Sequence, residues 1–249
     1  MEYPILLGLG LFAGILAGFF GIGGGTFIVP AMILMGHDIK TAVGISIMQM
    51  TFSSLFGSYV NFKKSNLDLK DGLYVGIGGF LGAMWSGTVV DNVPSKFLEI
   101  AFFFIVIYSI YRFSRNPAAG TNDPNHPTPS RWLLIAIGAF TGVFAISLGI
   151  GGGMMLAPLL GYYLGYSSKK VIPIALFFVI FSSVSGFASL AYHGYVDYEH
   201  GLIVGLASLF GVQTGIYLLQ KIDAKRHKYA LLLMYIVVLL VMLKKILGL

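Results

Sequence analysis

Six uninterrupted apolar runs punctuate the chain, at 41–62, 70–90, 94–111, 171–192, 201–220 and 229–243. Two longer ones, 3–36 and 132–165, are each interrupted by a glycine cluster. About 20 apolar residues cross a bilayer core as a helix, so this spacing predicts an all-α polytopic membrane protein. The first segment opens with Met1, Glu2, Tyr3 and Pro4, acidic rather than basic, and no small-residue cleavage site follows. It is expected to stay in the mature chain rather than leave as a signal peptide.

The two interrupted segments are copies of each other. Gly14–Pro30 reads GILAGFFGIGGGTFIVP and Gly142–Pro158 reads GVFAISLGIGGGMMLAP, with eight of seventeen positions identical. At an offset larger by one residue the match continues: Ser53, Ser54 and Gly57 fall on Ser182, Ser183 and Gly186, and Asp68, Gly72, Gly76 and Gly82 fall on Asp197, Gly201, Gly205 and Gly211. The organisation expected is therefore a membrane repeat at 1–113, a Pro-rich linker at 114–130 and a second membrane repeat at 131–249.

A single small-residue cluster is compatible with close helix packing. Three adjacent glycines, each weakening a helix by about 1 kcal/mol relative to alanine, exceed what a crossing needs and predict a break. Unwound backbone at membrane depth survives only inside protein or beside a wet cavity, where its polar groups can meet a solute. Paired glycine-interrupted segments in two halves point to a transport site. If helix resumes at Thr26, the amides of Gly23, Gly24 and Gly25 stand at a helix N-terminus, an anion-favouring place. Gly151, Gly152 and Gly153 offer the same in the second copy, with Gly21 and Gly149 opening each cluster. No Lys or Arg lies near either cluster, so an anion would be held by neutral donors.

Charge placement bears on topology. If all eight segments span, Lys and Arg divide eight against eight, with no positive-inside bias. If each glycine-broken segment enters and leaves on one side, Lys40, Lys96, Lys244 and Lys245 stand against the other twelve. That choice leaves three spans per half, makes the halves inverted repeats, and puts both termini outside with the linker in the cytoplasm.

Other chemistry is sparse. Ser46, Gln49 and Ser53 share one helical face, as do Ser182, Ser185 and Ser189; either face could line a polar path or bond a neighbouring helix. Gln213 and Thr214 are read the same way. With 57% hydrophobic residues and 10% charged, the net charge of +6 reads as interfacial anchors rather than a nucleic-acid surface. No cysteine is present, and no P-loop, hydrolase elbow or zinc motif, so neither an enzyme, a cofactor nor a metal site is expected. His193, Asp197, Glu199 and His200 have metal-ligand types but read as a solvated loop. No carboxylate or imidazole lies mid-span as a proton relay would require.

The doubled GxxxGxxGxGGGxxxxP pattern, the serine-bearing helix after it and the later aspartate-glycine stretch resemble the TauE/SafE family of sulfite and organosulfonate exporters. The likeness runs from about Leu6 to Leu243. It implies a plasma (inner) membrane permease for small sulfur-containing anions such as sulfite, sulfoacetate or thiosulfate. Ile146 departs from the pattern where Gly18 keeps it, which sets the two halves apart. The expected partners are a small anionic substrate and the lipid bilayer, with no nucleic acid; self-association as a homo-oligomer stays open. The competing reading is a non-transporting scaffold or anchor subunit in which the glycines only pack helices.

The charge tally makes a direct prediction in this cysteine-free chain. A cysteine replacing Asp197 is labelled by an impermeant thiol reagent on intact cells, whereas Asn122→Cys is labelled only after permeabilisation. Labelling of Asn122→Cys from outside contradicts the inverted arrangement.

Overall fold

A computed structural model describes residues 2–63, 69–115, 130–160 and 168–247. Most of the linker, including Asn122, and Asp68 of the repeat lie outside the described residues. The described chain is helical: α1 Glu2–Phe20, α2 Gly25–Leu34, α3 Ile39–Lys63, α4 Leu69–Ala83, α5 Ser86–Asn92, α6 Ser95–Arg115, α7 Arg131–Ser147, α8 Gly153–Pro158, α9 Ser168–Tyr192, α10 Tyr198–Lys221 and α11 Ala224–Leu247. Among the described residues, five segments are long and apolar enough to cross a membrane: Tyr3–Phe20, Asp71–Asn92, Pro173–Tyr192, Tyr198–Lys221 and Arg226–Leu247. The protein is a polytopic membrane protein, and large apolar side chains such as Trp132, Phe104, Phe210 and Leu233 stand on its outside.

The run at 70–90 is not one unbroken helix. It turns at Met84 and Trp85 between α4 and α5. The break is held from a neighbouring helix: Ser189 Oγ donates to the Met84 carbonyl at 2.7 Å and accepts from the Gly87 amide at 3.0 Å. One hydroxyl thus satisfies both a carbonyl and an amide that the interrupted ladder leaves over.

Small residues set the tightest helix pairs. A Cβ on Gly10, Gly14 or Gly18 of α1 would run into the carbonyl of Val204, Ser208 or Val212 of α10. Residue numbers rise together on both helices, so α1 and α10 run parallel. On α4, Gly78 and Gly82 abut the carbonyls of Ile135 and Ala139 of α7 in the same way, and these two also run parallel. The glycines bring backbones within direct contact, where dispersion replaces the hydrophobic drive that lipid does not supply.

Contacts at the helix ends define two faces. On one, Tyr3 donates to Glu199 at 2.6 Å, and the His37 and His200 rings lie 5.1 Å apart. Tyr195 donates to Asp91 at 2.7 Å and Lys40 to the Asp91 carbonyl at 3.2 Å. The hydrogen bond to Asp91 holds the Tyr195 phenol above its ordinary range. On the other face Lys228 donates to the Ser114 carbonyl at 3.2 Å, and beneath it the buried His227 Nε2 stands 2.9 Å from the Phe19 carbonyl. After α1 the chain doubles back: the Phe27 ring packs 4.9 Å from Phe12, and Gly24 comes against the Ala13 carbonyl. The segment from Tyr3 to His37 therefore starts and finishes at the same face.

Backbone contact of this kind leaves no room for a methyl. Gly14→Ala and Gly82→Ala are expected to lower the thermal midpoint of the purified protein, at a cost of about 1–3 kcal/mol each. Gly8→Ala, where a Cβ meets nothing within 4 Å, should leave it unchanged or raise it. Equal midpoints for all three variants would contradict the close-crossing account.

Candidate functional site

Both glycine clusters are the breaks that their composition predicts. α1 stops at Phe20, and Gly21, Gly23 and Gly24 take φ of 70°, 82° and 81° before α2 begins at Gly25. In the second copy Gly149 and Gly151 take φ of 65° and 72° between α7 and α8. These left-handed values cost glycine nothing and other residues considerably more.

The two loops meet face to face in the protein interior. A Cβ on Gly25 would strike the Gly149 carbonyl, one on Gly151 the Ile22 carbonyl and one on Gly153 the Gly21 carbonyl. Three hydroxyls reach three of the loop carbonyls: Thr26 Oγ1 donates to Ile150 at 2.8 Å, Ser46 Oγ to Gly149 at 2.8 Å, and Ser53 Oγ to Gly23 at 3.4 Å, shared with the Met50 carbonyl of its own helix at 3.3 Å. The amide side is different. Among the described residues, the N–H groups of Ile22 to Thr26 and of Gly151 to Met154 have no acceptor. Amides at a helix start without acceptors, together with the positive end of the helix dipole, make an environment that favours negative charge.

Helix α3 supplies the polar lining. Ser46, Gln49 and Ser53 are all fully buried, one turn apart, against these loops. Gln49 lies beside Gly24, with Oε1 and Nε2 2.9 and 3.0 Å from where a Cβ on Gly24 would stand. Neither Gln49 atom has a hydrogen-bond partner. Met50 adds its thioether to the junction, about 3 Å from where Cβ atoms on Gly23, Gly25 and Gly151 would lie. Among the described residues the buried polar side chains include no Asp, Glu, Lys or Arg, so the junction is electrically neutral apart from its backbone dipoles.

The remaining candidates are placed elsewhere. Ser182 bonds back to the Phe178 carbonyl of its own helix at 3.1 Å, and Ser185 donates across to Phe80 of α4 at 2.8 Å. Gln213 and Thr214 are exposed on the outer side of α10, where Thr214 bonds only the Phe210 carbonyl of its own turn at 3.4 Å. The structure does not bring these two to the loops. Phe178 was not singled out from the sequence, yet its ring packs where a Cβ on Gly152 would stand. The signal was present: at the offset that pairs Ser53 with Ser182, Phe178 pairs with Gln49.

The family model described as "Sulfite exporter TauE/SafE" matches residues 6–242. The chain belongs to the TauE/SafE family. Curated relatives of this TauE/SafE chain are named probable membrane transporter proteins. A probable membrane transporter protein of Bacillus subtilis, YdhB, is 28% identical over 210 residues, covering 82% of this chain and 83% of the relative. Another, MJ0441 of Methanocaldococcus jannaschii, is 27% identical over 245 residues, covering 92% and 90%. YunE of Bacillus subtilis, also named a probable membrane transporter protein, is 25% identical over 249 residues. No solved structure matches the TauE/SafE chain. This chain is thus a TauE/SafE membrane transporter, and no enzymatic activity is indicated.

The bond between the loops can be tested by itself. Thr26→Val keeps the side-chain shape but leaves the buried Ile150 carbonyl without its donor, a loss of about 1–3 kcal/mol. The expected result is a lowered thermal midpoint with Thr26→Ser close to the parent; a Thr26→Val midpoint equal to the parent contradicts the contact.

Proposed function

We propose that this TauE/SafE transporter carries a small sulfur-containing anion, such as sulfite, thiosulfate or sulfoacetate, across the plasma (inner) membrane by alternating access between two inverted repeats. The observation that carries this reading is the pair of abutting glycine loops, buried at the centre, with amides that no protein acceptor engages. The sulfur chemistry comes from the family description. Neutral donors suit a carrier, because an anion held by backbone amides without a counter-charge can be released.

The inverted arrangement draws support from helix direction. α1 runs parallel to α10 and α7 parallel to α4, so the first helix of each half pairs with a helix of the other. The Tyr3–His37 segment starts and finishes at one face, as a re-entrant segment does. Tyr3–Phe20 is nevertheless long enough to cross by itself. We read it as the long arm of a hairpin whose short arm, α2, returns to the face of entry. The sequence charge bias would put that face, with the Asp197 loop and both termini, outside. Alternating access then needs only that one half rock against the other across the loop junction.

The scaffold reading explains Gly10, Gly14 and Gly18, whose neighbours are backbone. It offers no reason for left-handed loops with buried amides. Flux separates the two readings. Purified protein in liposomes is expected to give saturable sulfite, thiosulfate or sulfoacetate uptake above protein-free vesicles, with mutual competition. Flux equal to protein-free vesicles for every anion on the panel would return the glycines to packing alone.

A further inference from the structure

Resting on the transport reading above, we infer that the junction holds one anion, on the first loop only, and that Gln49 selects a monoanion carrying its own hydrogen-bond donor, which among the proposed anions favours hydrogensulfite over thiosulfate and sulfoacetate. The starting point is that Gln49 is fully buried while both its polar atoms lack partners. Buried carboxamide groups in folded proteins are nearly always paired, so this exception calls for an explanation. The helix gives one by contrast. Ser46 and Ser53, one turn to either side, both have partners, Ser46 the Gly149 carbonyl and Ser53 the carbonyls of Gly23 and of Met50 in its own helix. Gln49 sits between them, reaches the same loop at Gly24, and bonds nothing.

What Gln49 faces is the start of α2, a ten-residue helix whose first amides have no acceptor. An anionic oxygen placed there is met by the amides of the Gly24 to Thr26 turn and by Gln49 Nε2, all donors. Gln49 Oε1 imposes the second requirement. It is an acceptor, and a fully ionised oxyanion presents only lone pairs to it. A ligand bearing an O–H or N–H next to its charged oxygens satisfies both ends of the carboxamide; one without leaves Oε1 buried and unpaired. Sites built to hydrogen-bond a substrate hydroxyl reject analogues that lack it far more strongly than apolar pockets reject a missing methylene. With no Lys or Arg buried among the described residues, one negative charge is preferred over two.

The second loop shares the unengaged amides but lacks the carboxamide and the longer helix. Phe178 stands at the repeat position of Gln49, with its ring where a Cβ on Gly152 would go. Gly152 has φ −68° where Gly24 has 81°, and α8 is six residues long. The second loop supplies carbonyls for Thr26 and Ser46 to bond. It supports the first loop rather than duplicating its site.

Methylphosphonate and methanesulfonate make the test, since at mildly acidic pH they share shape and a single charge but only the phosphonate keeps an O–H. Each is titrated as a competitor of sulfite uptake into proteoliposomes holding the full chain, in parent, Gln49→Met and Phe178→Leu forms. Methylphosphonate is expected to inhibit the parent at a concentration at least about tenfold lower, equivalent to about 1.4 kcal/mol. In Gln49→Met the ratio should fall to within about twofold, while Phe178→Leu keeps it. Equal potency in the parent, or no inhibition by either compound, overturns the inference with sulfite transport still standing; so does an unchanged ratio in Gln49→Met. Because the parent ratio alone decides, a Gln49→Met protein that fails to insert does not remove the test. Absence of flux for every anion of the sulfite, thiosulfate and sulfoacetate panel would instead overturn the transport reading itself.

Discussion

The fold turns on one constraint: at membrane depth every backbone polar group must find a partner inside the protein. Helices meet it automatically, and the two glycine loops break it at the centre of the molecule. Their carbonyls are recovered by side chains from elsewhere in the chain, Thr26 across to Ile150, Ser46 to Gly149 and Ser53 to Gly23. Without those hydroxyls, unwinding would leave unpaired carbonyls as well as unpaired amides. With them, the carbonyls of Gly23, Gly149 and Ile150 are engaged, and the amides at the start of α2, at the positive end of its dipole, are left facing Gln49. The proposed preference for anions rests on those amides.

The helix crossings serve the same end. Gly10, Gly14 and Gly18 against α10, and Gly78 and Gly82 against α7, let backbones touch and fix where α1 and α7 stop. The stopping points are what bring the loops together, with Gly25 against Gly149 and Gly153 against Gly21. Helix α3 then passes beside them and presents its one polar face to the junction. Its polarity, unusual for a helix at the middle of a membrane protein, follows from being enclosed by protein on that face: Ser46, Gln49, Ser53 and Ser54 are all fully buried.

Much of this was legible in the residues. Glycine's low helix propensity announced both breaks, and the three-, four- and seven-residue spacing of Ser46, Gln49 and Ser53 announced a shared face, which the structure puts against the loops. The turn at Met84 and Trp85 was not legible, because the glycines of that run are spread from Gly72 to Gly87 and mark no one place for a break; the partner that stabilises it, Ser189, comes from another helix. Gln213 and Thr214 are as polar as Ser46, yet they lie outside, and only the packing of α1 onto the other side of α10 decides that. The contrast between Gln49 and Phe178 was available from the repeat offset but needed Gly24 and Gly152 in three dimensions to acquire meaning.

The central claim is that the amides opening α2 receive the anion. Isotope-labelled glycine amides in the membrane-embedded protein report this directly by magnetic resonance, since Gly23, Gly24 and Gly25 can be compared with Gly151, Gly152 and Gly153 in the same sample. Adding sulfite should shift the Gly24 and Gly25 amide signals strongly and saturably, with smaller changes in the second loop and none at Gly8. Unchanged first-loop amides under conditions of measurable sulfite transport would contradict the account.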